Sequence, residues 1–260
     1  VSLIPKTLLL TALAAFPVVT PGDDLAQIIT QGVESNGLEL NNGDVLVLAQ
    51  KIVSKAEDRF VDLNTIKPTK KAVEIAEITQ KDARFVEMVL QESQNIIRVG
   101  LNTLIVEHKR GFICANAGID HSNVKDMKPG HEDWVLLLPE NADSSAEKLR
   151  LAIKKITSKN IGVLIIDSHG RAWRNGVVGI TIGLAGLPGL IDSRGEPDLF
   201  GFKLRVTTIG AADELAAAAS LIMGQAAEGT PVVHVRGFPY ALRDASLKEL
   251  LRPIDQDLFR

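Results

Sequence analysis

The stretch spanning residues 163–183, VLIIDSHGRAWRNGVVGITIG, constrains the fold of this chain more than any other. Val163, Leu164, Ile165 and Ile166 form an apolar run that meets Asp167, Ser168, His169 and Gly170, with Arg171 and Arg174 close behind. Such a run, bounded by a turn, predicts a buried strand. The strand delivers a carboxylate, a hydroxyl and two guanidinium groups to one loop. Carboxylate and hydroxyl oxygens suit hard cations such as magnesium or manganese. Arginine suits phosphate oxygens. The glycine-rich sequence that follows, GVVGITIGLAGLPGL (residues 176–190), could pass for a phosphate loop. It contains no GxxxxGK[ST], and neither does the rest of the chain. It reads instead as close backbone packing, with glycines admitting neighbouring chain.

The rest of the chain alternates strands and helices without strict order. Residues 7–19 read as one or two strands kinked at Pro17, a reading preferred to a secretory signal because Thr7 and Thr11 interrupt the apolar run. Asp23 is placed to cap a helix over 24–31. Residues 45–53, VLVLAQKIV, predict a buried strand. Residues 71–93 predict one helical region from apolar residues at near-helical spacing. Short strands are predicted at 95–99, 103–108, 112–115 and 136–138. A helix to about Thr157 begins at 144–147 with a serine cap. A strand at 203–209, an alanine-rich helix at 212–223 and a strand at 232–235 complete the pattern. Mixed order of this kind predicts an α+β fold. With 260 residues, 45% hydrophobic, the chain has room for one large domain or two modest ones.

Composition excludes several classes of function. A formal net charge of −3 gives no basic footprint for nucleic acid. No apolar stretch reaches the ~18–20 residues of a membrane span. The single cysteine, Cys114, permits no internal disulfide and fits a reducing cytoplasm. It reads as a small core residue. No Cys/His spacing resembles a zinc site.

Two acidic loops point to metal chemistry. Asp120, with Asn123, follows one strand end, and Asp167, with Ser168, follows another. Carboxylates converging from separate strands can hold a divalent ion, although a lone aspartate in such a loop also caps its own turn. Lys51 and Lys55 flank the end of the 45–53 strand, as polyphosphate neutralisers or as an exposed edge. Gln225, beyond the alanine-rich helix, offers a carbonyl oxygen to a metal, although the glycine before it is also an ordinary helix stop.

Several segments, in one order, carry a resemblance. PGDDL (21–25), GDVLVLAQKIVSKAE (43–57), NAGIDHSNV (116–124), SAEKLR (145–150), DSHGRAWRNGVVG (167–179), ADELAAAASLIMGQ (212–225) and PVVHVRG (231–237) closely resemble the coenzyme F420-0:γ-glutamyl ligase family. The resemblance implies a GTP-dependent enzyme that joins L-glutamate to coenzyme F420-0, with further γ-linked extension of the tail. It implies two divalent metal ions, magnesium or manganese, with stimulation by potassium. It also implies a single two-lobed α+β unit over residues 1–260, with intertwined lobes, assembled as a homodimer. Asp120 and Asp167 would ligate one metal, and Ser168 and Gln225 the second. Phe16, Pro17, Val18, Val19, Gln50, Lys51, Lys55, Asn123, Met223, Gly224, Gln225, Ala226, Ala227, Glu228 and Gly229 would contact GTP. Lys55, Arg171 and Arg174 are candidates for neutralising phosphate and carboxylate, the two arginines from their residue type alone. Two positions depart from the family pattern. Ala15 and Asp58 stand where glycine is common.

Two rival functions use the same residues. A metal-dependent phosphohydrolase would employ the aspartates with water as nucleophile. A non-catalytic GTP-binding scaffold would need only the nucleotide contacts, but buried acids without a cation are costly.

Overall fold

The structure is a computed structural model that describes residues 6–121 and 133–257. In chain order the elements are β1 (Leu9–Ala12), α1 (Leu25–Ser35), β2 (Val45–Ala49), α2 (Gln50–Ala56), β3 (Phe60–Asp62), α3 (Lys70–Thr79), α4 (Ala83–Gln91), β4 (Ser93–Gly100), β5 (Thr103–His108), β6 (Ile113–Ala115), β7 (Trp134–Leu136), α5 (Ala142–Thr157), β8 (Gly162–Arg171), β9 (Arg174–Ala185), β10 (Ile191–Asp192), β11 (Thr208–Ile209), α6 (Ala211–Met223) and β12 (Val232–Arg236).

A five-stranded sheet in the order β1-β12-β2-β8-β9 forms the larger part. Only β2 and β8 run parallel within it. Its central strands are buried on both faces, which is why they read as unbroken apolar runs rather than as alternation. Leu46, Leu48, Val163 and Ile165 face α1 and α5. Val45, Val47, Leu164 and Ile166 face α6. A smaller core gathers α3, α4 and the antiparallel β4-β5-β6 sheet around Phe85, Val86, Leu104 and Val106. The chain enters this part after α2 and leaves it after β7. The fold is therefore mixed α+β, as the element pattern predicts.

The glycine-rich stretch does pack closely against its neighbours. A Cβ on Gly179 of β9 would lie 2.5 Å from the Ala216 carbonyl oxygen and 2.6 Å from Ser220 Cβ, both on α6. β9 thus accepts the helix backbone where any side chain would hold it off.

Several elements differ from the sequence expectation. The run 45–53 is a strand only to Ala49; Gln50 opens α2. Nothing local marks the change, because Ala49 caps α2 without a side-chain hydrogen bond. The 71–93 region is two helices, broken where Gln80 turns left-handed (φ 55°) and Asp82 caps α4. Asp24, not Asp23, caps α1, and Asn141, not a serine, caps α5. Only Thr208–Ile209 of the 203–209 segment is strand. Residues 167–170 are not a loop, because pairing with β9 carries β8 through to Arg171.

Candidate active site

One cavity of about 440 Å³ lies at the end of the five-stranded sheet. Its wall includes Phe16, Pro17, Val18 and Val19, Gln50, Lys51 and Lys55 of α2, Asp167 and Ser168 of β8, and the segment 223–229, which starts at the last residue of α6. Four segments far apart in the chain therefore meet there. The early end of β2 creates this geometry. Because the helix begins at Gln50, its first turn sits at the end of the sheet's central strand, and Gln50, Lys51 and Lys55 all line the cavity.

β8 supplies the middle of the site. Successive strand residues point to opposite faces. Asp167 therefore shares its face with Val163 and Ile165, and Ser168 shares the α6 face with Leu164 and Ile166. On the α6 side, the Ser168 hydroxyl donates to Gln225 Oε1 at 2.6 Å, and Gln225 Nε2 donates to Ser220 Oγ at 2.9 Å. On the other side, Asp120 is fixed by backbone pairing with Leu136, at 3.0 and 2.9 Å. The turn that leads into it is unusual. Asn116, Ala117 and Gly118 take successive left-handed conformations (φ 53°, 53° and 68°). A Cβ on Gly118 would lie 2.6 Å from Leu138 Cδ1.

Two donors share one Asp120 oxygen. Lys51 Nζ lies 2.8 Å from Oδ2 and Gln50 Nε2 lies 2.7 Å from it. Burial pushes the Asp120 carboxyl above its usual range; the Lys51 charge opposes this and the Asp167 charge adds to it. Each carboxylate therefore disfavours the charge of the other. Among the described residues no cluster of three or more His, Cys, Asp or Glu side chains is gathered as a metal cage. The donor set is instead two carboxylates, a hydroxyl and an amide carbonyl, all hard oxygens. That chemistry suits a hard divalent cation such as magnesium or manganese.

Cys114 is a core residue, as its residue type suggests. Burial, with the nearby Asp167 charge, pushes its thiol up to about 12. Arg171 and Arg174 face each other across the exposed tip of the β8–β9 hairpin and are not on the cavity wall. Asn123 lies outside the described residues. One neighbour escapes the residue-type reading. His169 is buried, its Nε2 is 3.1 Å from Asp167 Oδ2, and its ring lies 5.7 Å from that of Phe112. Its two-residue spacing from Asp167 was the available signal, once the segment is seen as strand. Ser220, Thr230 and Pro231 also line the cavity, Ser220 and Pro231 from within the segments that carry the resemblance.

The left-handed positions include both departures from the family pattern. Ala15 has φ 53° and Asp58 has φ 51°. Glycine would suit both positions, because its missing Cβ removes the steric cost of a left-handed backbone.

The family profile described as F420-0:Gamma-glutamyl ligase matches residues 14–237. The chain is 46% identical over 253 residues to the coenzyme F420:L-glutamate ligase of Methanothermobacter thermautotrophicus, covering 96% of this chain and 98% of that relative. It is 44% identical over 222 residues to the protein of the same name from Methanocaldococcus jannaschii, covering 85% and 86%. For the Methanopyrus kandleri protein of that name the identity is 43% over 246 residues, covering 93% of each.

Proposed function

The chain belongs to the F420-0:gamma-glutamyl ligase family, and from that membership we propose that it is a GTP-dependent ligase forming an amide between L-glutamate and coenzyme F420-0. Ligase activity and the two substrates follow from the family and the names of its members. The nucleotide, the metals and the chemical route are our reading of the site. One observation carries that reading: Asp167, Ser168, Gln225, Gln50, Lys51 and Lys55 meet on a single cavity, with Asp120 held at its edge by Gln50 and Lys51. At about 440 Å³ the cavity falls within the ~300–1,000 Å³ typical of small-molecule sites.

Each part of the wall then has a task. Phe16, Val18, Val19 and Ile52 supply apolar surface that shields the reacting phosphate from water. Lys51 and Lys55 neutralise phosphate oxygens. Asp120 and Asp167 would hold one divalent ion, and Ser168 and Gln225 a second. Bound there, the ions supply neutralisation of charge on the β- and γ-phosphates.

The proposed reaction has two steps. A terminal carboxylate oxygen of coenzyme F420-0 attacks the γ-phosphorus, and the bond to the β-phosphate oxygen breaks. GDP leaves and an acyl phosphate remains. The glutamate amine then attacks the acyl carbon, loses a proton, and inorganic phosphate departs as the amide forms. No protein nucleophile is consumed. The product again ends in a carboxylate, so further γ-linked glutamates would enter by the same route. Leu199, Phe200, Val206 and Leu221 are largely exposed. A second copy covering them would give the homodimer.

The test is direct. The protein is incubated with GTP, Mn²⁺ or Mg²⁺, glutamate and coenzyme F420-0, with and without potassium, and the products are weighed by mass spectrometry. A product heavier by one or more glutamyl residues, with GDP and phosphate formed in step, supports the proposal. Phosphate release with no new amide overturns it in favour of hydrolysis. Equal turnover with ATP overturns the nucleotide assignment.

A further inference from the structure

Two donors hold the same Asp120 oxygen, but they are not equivalent. Gln50 is fully buried, and its other amide atom, Oε1, accepts from Ser54 Oγ at 2.8 Å. Its amide is pinned at both ends and cannot leave. Lys51 is different. Its side chain is 30% exposed, it lines the cavity, and Asp120 is its ion-pair partner. A lysine ammonium is a compact charge on a flexible four-carbon stem. One partner of Asp120 is therefore fixed and the other is exchangeable.

A divalent cation bound to Asp120 would bring two positive charges beside the Lys51 ammonium, which lies 2.8 Å from Oδ2. Like charges that close repel strongly in a partly buried site. The ammonium must move as the cation enters, and it then needs a new anion. A polyphosphate bound beside Lys55 in the same cavity would offer one.

We propose that Lys51 is an exchangeable counter-ion: its ammonium neutralises Asp120 in the absence of a divalent cation, and moves onto the nucleotide's phosphates when the cation arrives, so that metal and nucleotide bind as a coupled pair. The inference rests on the assignment of Asp120 as a metal ligand made above. Its consequence is reciprocal, as any binding linkage must be. The free protein holds a cation weakly, because the ion must displace a resident charge. Nucleotide relieves that competition by giving the lysine somewhere to go.

The experiment measures Mn²⁺ binding to the full chain by the electron paramagnetic resonance of free Mn²⁺, with and without GDP. The chains compared are wild type, Lys51→Met, Lys51→Arg and Asp120→Asn, each checked for folding by thermal melting. Lys51→Met keeps the stem and removes the charge. It is expected to bind Mn²⁺ about fivefold more tightly than wild type without nucleotide, the size of one partly exposed ion pair. The factor by which GDP tightens Mn²⁺ binding is expected to shrink in Lys51→Met and to persist in Lys51→Arg. Unchanged or weaker Mn²⁺ binding by a folded Lys51→Met chain, or an unchanged GDP factor, overturns the counter-ion proposal. Asp120→Asn separates the two levels. If it binds Mn²⁺ as wild type does, the metal assignment itself is wrong. If it loses Mn²⁺ while Lys51→Met gains nothing, the metal stands and the exchange fails.

Discussion

Gly179→Ala tests whether packing between β9 and α6 sets the geometry of the site. Gly179 pairs with Ser168 across the β8–β9 hairpin. An alanine Cβ would lie 2.5 Å from the Ala216 carbonyl oxygen and 2.6 Å from Ser220 Cβ. Both distances are nearly an ångström short of ordinary contact. Neither atom is the tip of a flexible side chain, so the helix itself must move away from the sheet. Overpacking of this kind costs about 1–3 kcal/mol, and with backbone as the obstacle the upper half of that range is expected. For a chain of this size that lowers Tm by about 5–10 °C. The functional effect should be larger. α6 carries Ser220, which holds Gln225, which in turn accepts from the Ser168 hydroxyl. Misplacing a reacting constellation by about 1 Å can cost ~100-fold in rate. Gly170→Ala on the same hairpin is the control, since nothing lies within 4 Å of its Cβ position. It should stay within about 0.5 kcal/mol of wild type. Calorimetric melts with steady-state ligase assays decide the matter. If the two variants melt within about 2 °C of each other, close β9–α6 packing does not control this site.

Three further outcomes follow from named residues. Asp167→Asn should lower ligase turnover by roughly a hundredfold or more with a melting temperature near wild type, and unchanged turnover would remove Asp167 from the site. His108 is buried, and that burial, only partly opposed by the Glu92 charge, pushes its imidazole down to about 4 from 6.5. Between those values the unfolded chain takes up a proton that the folded chain refuses, so stability is intact above pH ~6.5 and falls toward pH ~4. Urea unfolding should show a loss of about 2 kcal/mol from this group between about pH 7.5 and pH 5, and His108→Gln should flatten that slope. Ala15→Gly relieves an alanine held at φ 53° with its methyl exposed. The left-handed penalty of roughly 1–2 kcal/mol outweighs the ~0.5–1 kcal/mol of extra chain entropy, so the variant should melt slightly higher; a lower Tm would show that this turn carries no strain.

The legible parts of this protein are those whose local pattern and tertiary setting agree. The apolar run of β8, the alanine-rich α6 and the glycines of β9 all read correctly, because burial on both faces and close helix approach leave marks in residue type. The junction between β2 and α2 leaves none. Ile52 and Val53 suit a strand as well as a buried helix face, and Ala49 offers no side-chain cap, so the sequence around Gln50 reads as one strand. That junction is nevertheless what turns Gln50, Lys51 and Lys55 into the cavity. The polar residues at 167–170 mislead in the opposite direction. They resemble a loop, yet hydrogen bonding to β9 keeps them extended. The difference matters for chemistry. In a loop, Asp167 and Ser168 would point wherever the turn allowed and would most simply share one ion. In a strand, their period of two sends the carboxylate toward Asp120 and the hydroxyl toward Gln225, on opposite faces of β8. The meeting of Ser168 with Gln225 on one face of β8, with Asp167 turned to the other, thus follows from the backbone of a single strand once its true length is known.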